Sequence, residues 1–149
     1  MANKLAIVTG ASTGIGFELA TLAAKDGYDL IVVANEPLID AAADDFRQFG
    51  TQVESVEADL STLEGVDRLL AAMNGRQVDV LVANAGIGTG GPFLELEVAS
   101  WRHSIDTNVT GTVYLLQKVL AEMVARGTGK LLVTGSIAGY IPGSFNAVY

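Results

Sequence analysis

The sequence has no cysteine, one histidine, one tryptophan and three prolines among its 149 residues. Without cysteine there is no disulfide frame, no thiolate metal site and no thiol nucleophile, a usage compatible with a cytoplasmic address. The single histidine, His103, has no second histidine or metal-spaced carboxylate cluster to join it, so no metal is expected. His103 and Trp101 read as packing or surface residues near the start of a long helix. Basic residues are also few: Lys plus Arg is 9 against 17 Asp plus Glu, a net charge of -8 with a pI near 4.4. Nucleic acid and anionic membrane both require a basic surface, so neither is an expected partner. Charged residues make up only 17% where an average soluble domain has about 25%, and 50% of the chain is hydrophobic. Such a composition excludes intrinsic disorder and points to some surface covered by a partner.

Long unbroken apolar runs are missing as well. Residues 131–149 carry no formal charge, but Gly135, Ser136, Gly139, Pro142, Gly143, Ser144 and Asn146 interrupt them, so a membrane span is rejected. The amino-terminal MANKLAIVTG has one lysine and a short apolar run ending in glycine. It lacks the longer apolar segment and small-residue cleavage site of a secretory signal.

What the chain does have is alternation. Short apolar runs at 5–9, 30–34, 53–58, 78–83 and 131–134 have strand length and read as apolar on both faces, as in a sheet lying between two helix layers. Between them, residues 15–25, 39–49, 63–73 and 100–126 carry helical spacing. Val66, Leu69, Leu70 and Met73 mark one helix face, and Val109, Val113, Leu116, Leu120 and Val124 mark another, with Gly127 and Gly129 as its stop. The acidic run 40–45 reads as a solvated helix face, and 86–92 (GIGTGGP) as a flexible loop. Five strands alternating with about four helices imply right-handed βαβ units, hence α/β architecture with a doubly wound parallel sheet, read as one domain over residues 1–149. Ligands in such sheets bind where the strands end, which directs attention to the residues after Thr9, Ala34, Ala58, Ala83 and Thr134.

After the first strand stands TGASTGIG, residues 9–16. Gly10 and Gly14 allow a tight turn, Gly16 lets the following helix lie close to the sheet, and free N–H groups at the helix start suit a pyrophosphate. A turn with no ligand can share this spelling; its place between a first strand and a first helix favours the nucleotide. No lysine follows the last glycine, which disfavours a mononucleotide P-loop.

The TGxxxGxG spacing resembles the short-chain dehydrogenase/reductase family, and later motifs extend the resemblance along nearly the whole chain. Ala58-Asp59-Leu60 resembles the family's adenine site, with Asp59 on the amino group and Leu60 against the ring; without that resemblance, Asp59 or Ser61 would read as a helix cap. Ala83-Asn84-Ala85-Gly86 is similar to the family's NNAG motif with its first Asn replaced by Ala, which keeps the backbone contacts and removes one side-chain tie to the sheet. Asn108 in TNVTG matches the active-site Asn, Ser136 in VTGSIAG the catalytic Ser, and Tyr149, thirteen positions on, the catalytic Tyr. The resemblance implies a Rossmann-like sheet in order 3-2-1-4-5 and hydride transfer between NAD or NADP and a carbonyl or alcohol. Tyr149 would be the acid/base, Ser136 the donor to the substrate oxygen and Asn108 the relay residue. Gly10, Ser12, Thr13, Gly14, Ile15, Gly16, Asn35, Asp59, Leu60, Asn84, Ala85 and Gly86 would hold the cofactor.

The family chooses between the two nicotinamides after the second strand, where an acid favours the ribose 2′-hydroxyl and a base the 2′-phosphate. Ala34 stands where the selecting Asp would be, and Asn35 and Thr13 stand where basic residues would be. Glu36 reads equally as a hydroxyl acceptor or as an exposed acid before Pro37. The substrate pocket would take Ile87 to Phe93 and Ile137 to Tyr140, which are small and apolar. Family members commonly associate through the long helix, so a homodimer or homotetramer is expected. A non-catalytic NAD(P)-binding module and a flavodoxin-like phosphate or flavin binder are the competing classes. The family's lysine, four residues beyond the tyrosine, falls outside the sequence, which therefore reads as the cofactor-binding half of a longer chain cut at its catalytic Tyr, leaving residues 131–149 short of cover. The 149-residue polypeptide alone is expected to be inactive or nearly so. Carbonyl reduction at an enzyme-like rate, from material of verified mass, would contradict this.

Overall fold

A computed structural model describes residues 4–149. Residues 1–3, where the sequence was read against a secretory leader, lie outside the described residues. Strands β1 (Leu5–Thr9), β2 (Asp29–Ala34), β3 (Val53–Glu57), β4 (Val78–Ala83) and β5 (Lys130–Val133) form one parallel sheet in the order β3-β2-β1-β4-β5. Helices α1 (Gly14–Lys25) and α2 (Leu38–Arg47) pack on one face. Helix α3 (Leu63–Ala71) and a long helical run cover the other; the run comprises α4 (Val98–Ile105), a π-helical segment (Asp106–Gly111) and α5 (Thr112–Arg126). The fold is therefore Rossmann-like, in the strand order expected from the sequence.

Side-chain alternation divides the core in two. Leu5 and Ile7 of β1, with Ile31 and Val33 of β2, join Val66, Leu69, Leu115 and Val119 under α3 and α5. Ala6, Val8, Leu30 and Val32 point the other way and meet Ala20, Ile39, Ala43 and Phe46 under α1 and α2. Each inner strand thus supplies both faces, which is why β1 and β2 read as continuous apolar runs. The two edge strands depart from that reading. β3 is covered only in part: Val53 joins the core under α1 and α2 and Val56 the core under α3 and α5, while Glu54 and Glu57 are exposed. All four residues of β5 are exposed.

The long helix also differs in detail from its pattern. Its buried stripe is Leu115, Val119 and Met123, while Val109, Val113 and Val124 of the expected stripe are exposed and Leu116 and Leu120 pack at the margin. Two apolar stripes run along this helix, and spacing alone does not say which one meets the sheet. Gly127 ends it as expected, in the left-handed conformation (φ 70). Near the other end, Gly111 lies so close to the chain after β3 that an added Cβ would overlap the Leu60 carbonyl. Replacement Gly111→Ala is expected to cost about 1–3 kcal/mol or more in urea unfolding, because backbone must move to admit the methyl. Gly135→Ala, in open space, should stay within about 0.5 kcal/mol of the parent.

Candidate functional site

A cleft of about 580 Å³ opens across the carboxyl ends of the strands, where chain order reverses between β1 and β4. Its first wall is the turn from β1 into α1. Gly10 (φ 65) and Gly14 (φ 60) take left-handed backbone, which lets the chain double back within a few residues. Gly16 sits where a side chain would strike the Gly10 carbonyl and the Asn84 amide, so α1 starts tight against the sheet. Thr13, at the N-cap of α1, makes no capping hydrogen bond, whereas Thr62 caps α3 by accepting from Gly65 N at 3.0 Å. The first amides of α1 are left for another acceptor, and Thr13 and Ile15 line the cleft beside them. Gly14 and Gly16 shape this wall without lining it.

Three strand ends are held together behind that turn. Asn84 Nδ2 donates to the carbonyls of Thr9 (3.1 Å) and Gly10 (3.3 Å), while its Oδ1 accepts from Thr134 Oγ1 at 2.8 Å. Thr9 Oγ1 accepts from the amides of Asn84 (2.9 Å) and Ala85 (2.8 Å). The Asn84 side chain is thereby spent on the fold, and it makes the side-chain tie to the sheet that the Ala at position 83 does not. Asp59 and Leu60 stand at the end of β3 on the cleft wall. One Asp59 oxygen accepts from Ser61 N at 2.9 Å; the helix cap is Thr62, so neither Asp59 nor Ser61 has that task.

Asn108 lies in the π-helical segment, a feature that often accompanies functional sites. Its carboxamide grips Ile87 at two points, accepting from the amide and donating to the carbonyl, both at 2.8 Å. Ser104 Oγ donates to the same carbonyl at 3.0 Å and Thr89 Oγ1 to Ser100 O at 3.4 Å, so the loop expected to be flexible is stitched to the long helix. Ser136 caps the short turn Ile137–Gly139 by accepting from Ala138 N at 3.1 Å. Tyr149 lies with its ring beside Gly88. Asn108, Ser136 and Tyr149 all line the same cleft as Gly10, Ser12, Thr13 and Ile15, with Asn35, Asp59, Leu60, Asn84, Ala85 and Gly86 between them. Pattern reading missed Thr9 and Thr134, which bear the strand-end ties, and Thr107 and Thr112 on the cleft wall; a hydroxyl at a strand end or helix face has no distinctive spelling. Among the described residues no helix is long and apolar enough to cross a membrane.

A five-stranded parallel sheet with a glycine turn at its first strand–helix junction and a cleft across the strand switch defines a Rossmann-like α/β protein. A model of the short chain dehydrogenase family matches residues 4–149, and the chain belongs to that family. It is 34% identical to human 17-beta-hydroxysteroid dehydrogenase type 1 across 100% of its own length and 48% of the relative's. Among solved structures, an L-sorbose reductase from Gluconobacter frateurii in complex with NADPH and L-sorbose superposes with TM-score 0.91 at 30% identity, covering 99% of this chain and 58% of that one. An alcohol dehydrogenase from Thermococcus sibiricus in complex with 5-hydroxy-NADP gives TM-score 0.90 at 31% identity, covering 99% and 64%. The chain spans between 45% and 64% of the length of the curated relatives it matches.

Two substitutions test this architecture. Asn84→Ala strands two carbonyls and a hydroxyl and should cost about 2–4 kcal/mol in urea unfolding. Thr107 Oγ1 is buried with no hydrogen-bond partner among the described residues. Thr107→Val, equal in shape, should therefore raise stability by about 1 kcal/mol.

Proposed function

We propose that this protein is an NAD(P)-dependent oxidoreductase that moves hydride between nicotinamide and the carbon of a small carbonyl or alcohol substrate. The observation that carries the proposal is the shared cleft: the uncapped start of α1 and the side chains of Asn108, Ser136 and Tyr149 all border one space. The residues fit the cofactor. Glycine at 10 lets the turn lie close on the end of β4, where a Cβ would come within 2.9 Å of Ala85 Cα, and the free amides at α1 suit a pyrophosphate. Asp59 has a carboxylate oxygen available to an adenine amino group, and Leu60 offers an apolar surface beside it. NADPH and an NADP derivative in two structural neighbours support the same ligand class.

When bound, the dinucleotide supplies the hydride acceptor or donor; the protein supplies orientation and the proton. Ser136 Oγ already accepts from Ala138 N, which leaves its own proton to donate to a substrate oxygen. Tyr149 would exchange the proton at that oxygen. Asn108 holds Ile87 and so fixes the loop that borders the substrate side, alongside its expected place in the relay. The exposed Val109, Val113 and Val124 stripe is the surface proposed for a homodimer or homotetramer.

The second reading, a module that binds dinucleotide without chemistry, rests on the ordered cleft alone. Titration of the 149-residue polypeptide with both oxidised and reduced dinucleotides, followed by absorbance at the nicotinamide band with a panel of ketones, separates the readings. Joined to a relative's carboxyl half, the chain should turn over and lose that turnover in Tyr149→Phe while dinucleotide affinity changes by less than about threefold. Binding with no Tyr149-dependent turnover would leave the non-catalytic module.

A further inference from the structure

Helix α3 hands over to β4 through residues 72–77, at the amino ends of the strands and opposite the cleft. Asn74 (φ 47) and Gly75 (φ 76) both take left-handed backbone, which turns the chain out of the helix. Asparagine followed by glycine occurs nowhere else in the sequence. Both residues are exposed, and nothing lies within 4 Å of where a Gly75 Cβ would stand. The amides on either side are engaged: Asn74 N donates to the Ala71 carbonyl at 3.1 Å and Arg76 N to the Met73 carbonyl at 2.8 Å. Among the described residues, the Gly75 amide and the Asn74 carboxamide have no hydrogen-bond partner.

We propose that Asn74 is a site of non-enzymatic deamidation, with water as the co-reactant, and that its isoaspartate product unfastens the amino ends of the strands. The Gly75 nitrogen attacks Asn74 Cγ; the Cγ–Nδ2 bond breaks, and ammonia leaves carrying the proton from Gly75 N. Water then opens the resulting succinimide at either carbonyl. Breaking the new N–Cγ bond gives aspartate; breaking the original peptide bond gives isoaspartate, whose main chain runs through Cβ and Cγ. Nothing is oxidised or reduced. Glycine leaves the attacking nitrogen uncrowded, and that amide has no acceptor to give up first. Isoaspartate puts a further carbon into the turn that the Arg76 amide closes on Met73. Arg76 in turn donates at 2.8 Å to Asp29, a buried residue at the start of β2 that also accepts from Gln52 N, just ahead of β3, at 3.1 Å. A longer turn carries Arg76 away and leaves a buried carboxylate without that cation.

The test is to age the folded protein at mildly alkaline pH, map its peptides by mass spectrometry, and probe for the β-linked product with a protein L-isoaspartate methyltransferase. Asn74 should convert at a rate within about threefold of the same step in a free peptide of residues 70–79, because the fold leaves it exposed. Asn84 and Asn108, whose carboxamides are hydrogen-bonded, should stay intact. Asn74→Gly, which suits the positive φ, should melt with the parent and give no methyl acceptor in that turn. The isoaspartate fraction, separated by ion exchange, should melt about 3 °C or more below Asn74→Asp, which carries the same charge without the further carbon. Conversion more than about threefold slower than in the peptide overturns the site. An isoaspartate fraction that melts within about 3 °C of Asn74→Asp overturns the release of the strand ends.

Discussion

The carboxamide of Asn84 is the point on which the cleft depends. A parallel sheet brings its strands to a common edge and then sends each chain away in a different direction, so nothing in the ladder itself holds those ends in register beyond the last paired residue. Asn84 does so with three hydrogen bonds, to Thr9, Gly10 and Thr134, and Thr9 returns two more to the Asn84 and Ala85 amides. β1, β4 and β5 are fixed to one another at the side where a ligand would sit. The glycine turn is bound to the same point: Gly16 has no side chain because the Asn84 amide and the Gly10 carbonyl occupy that space. A change at Asn84 therefore reaches the glycine turn after β1 and the wall carrying Ser136 together.

The opposite side of the cleft is organised by a second carboxamide, that of Asn108. A regular helix would carry this residue past the loop after β4 at a different angle; the π-helical segment changes the phase, and Thr112 Oγ1 donates to the Thr107 carbonyl at 3.3 Å within it. Gly111 lets this part of the helix rest on the Leu60 carbonyl, so the wall at Asp59 and Leu60 and the wall at Asn108 are set by one contact. The two asparagines do comparable work on opposite sides of the cleft: each fastens backbone, and each leaves neighbouring groups free for a ligand.

Most of this architecture was legible in the sequence for identifiable reasons. β1, β2 and β4 are largely covered on both faces and largely apolar, with Asp29 opening β2 and Asp79 near the start of β4, so they read as inner strands. Glycines with positive φ, at 10, 14 and 127, announce turns that other residues resist. The edges were harder. Glu54 and Glu57 show that β3 is half solvated, but a run containing Val53, Val56 and Ala58 hides it. On α5 two apolar stripes compete, and only the crossing of helix and sheet selects Leu115, Val119 and Met123. The bond from Ser12 to Glu36 and the ties of Thr9 and Thr134 to Asn84 join residues 24 to 75 positions apart, and no local pattern encodes them. The positions proposed for the chemistry, by contrast, came from motif order, and Asn108, Ser136 and Tyr149 line one cleft.

The central claim is that one cleft, at the carboxyl ends of the strands, receives the dinucleotide along its whole length. Mapping backbone amide NMR shifts while the dinucleotide is added tests it most directly. The account predicts saturable shifts concentrated at residues 10–16, 34–36, 58–60 and 83–87. Shifts centred instead on the smaller cavity lined by Leu70, Met73, Arg76 and Lys118, or spread without pattern over the surface, would contradict it.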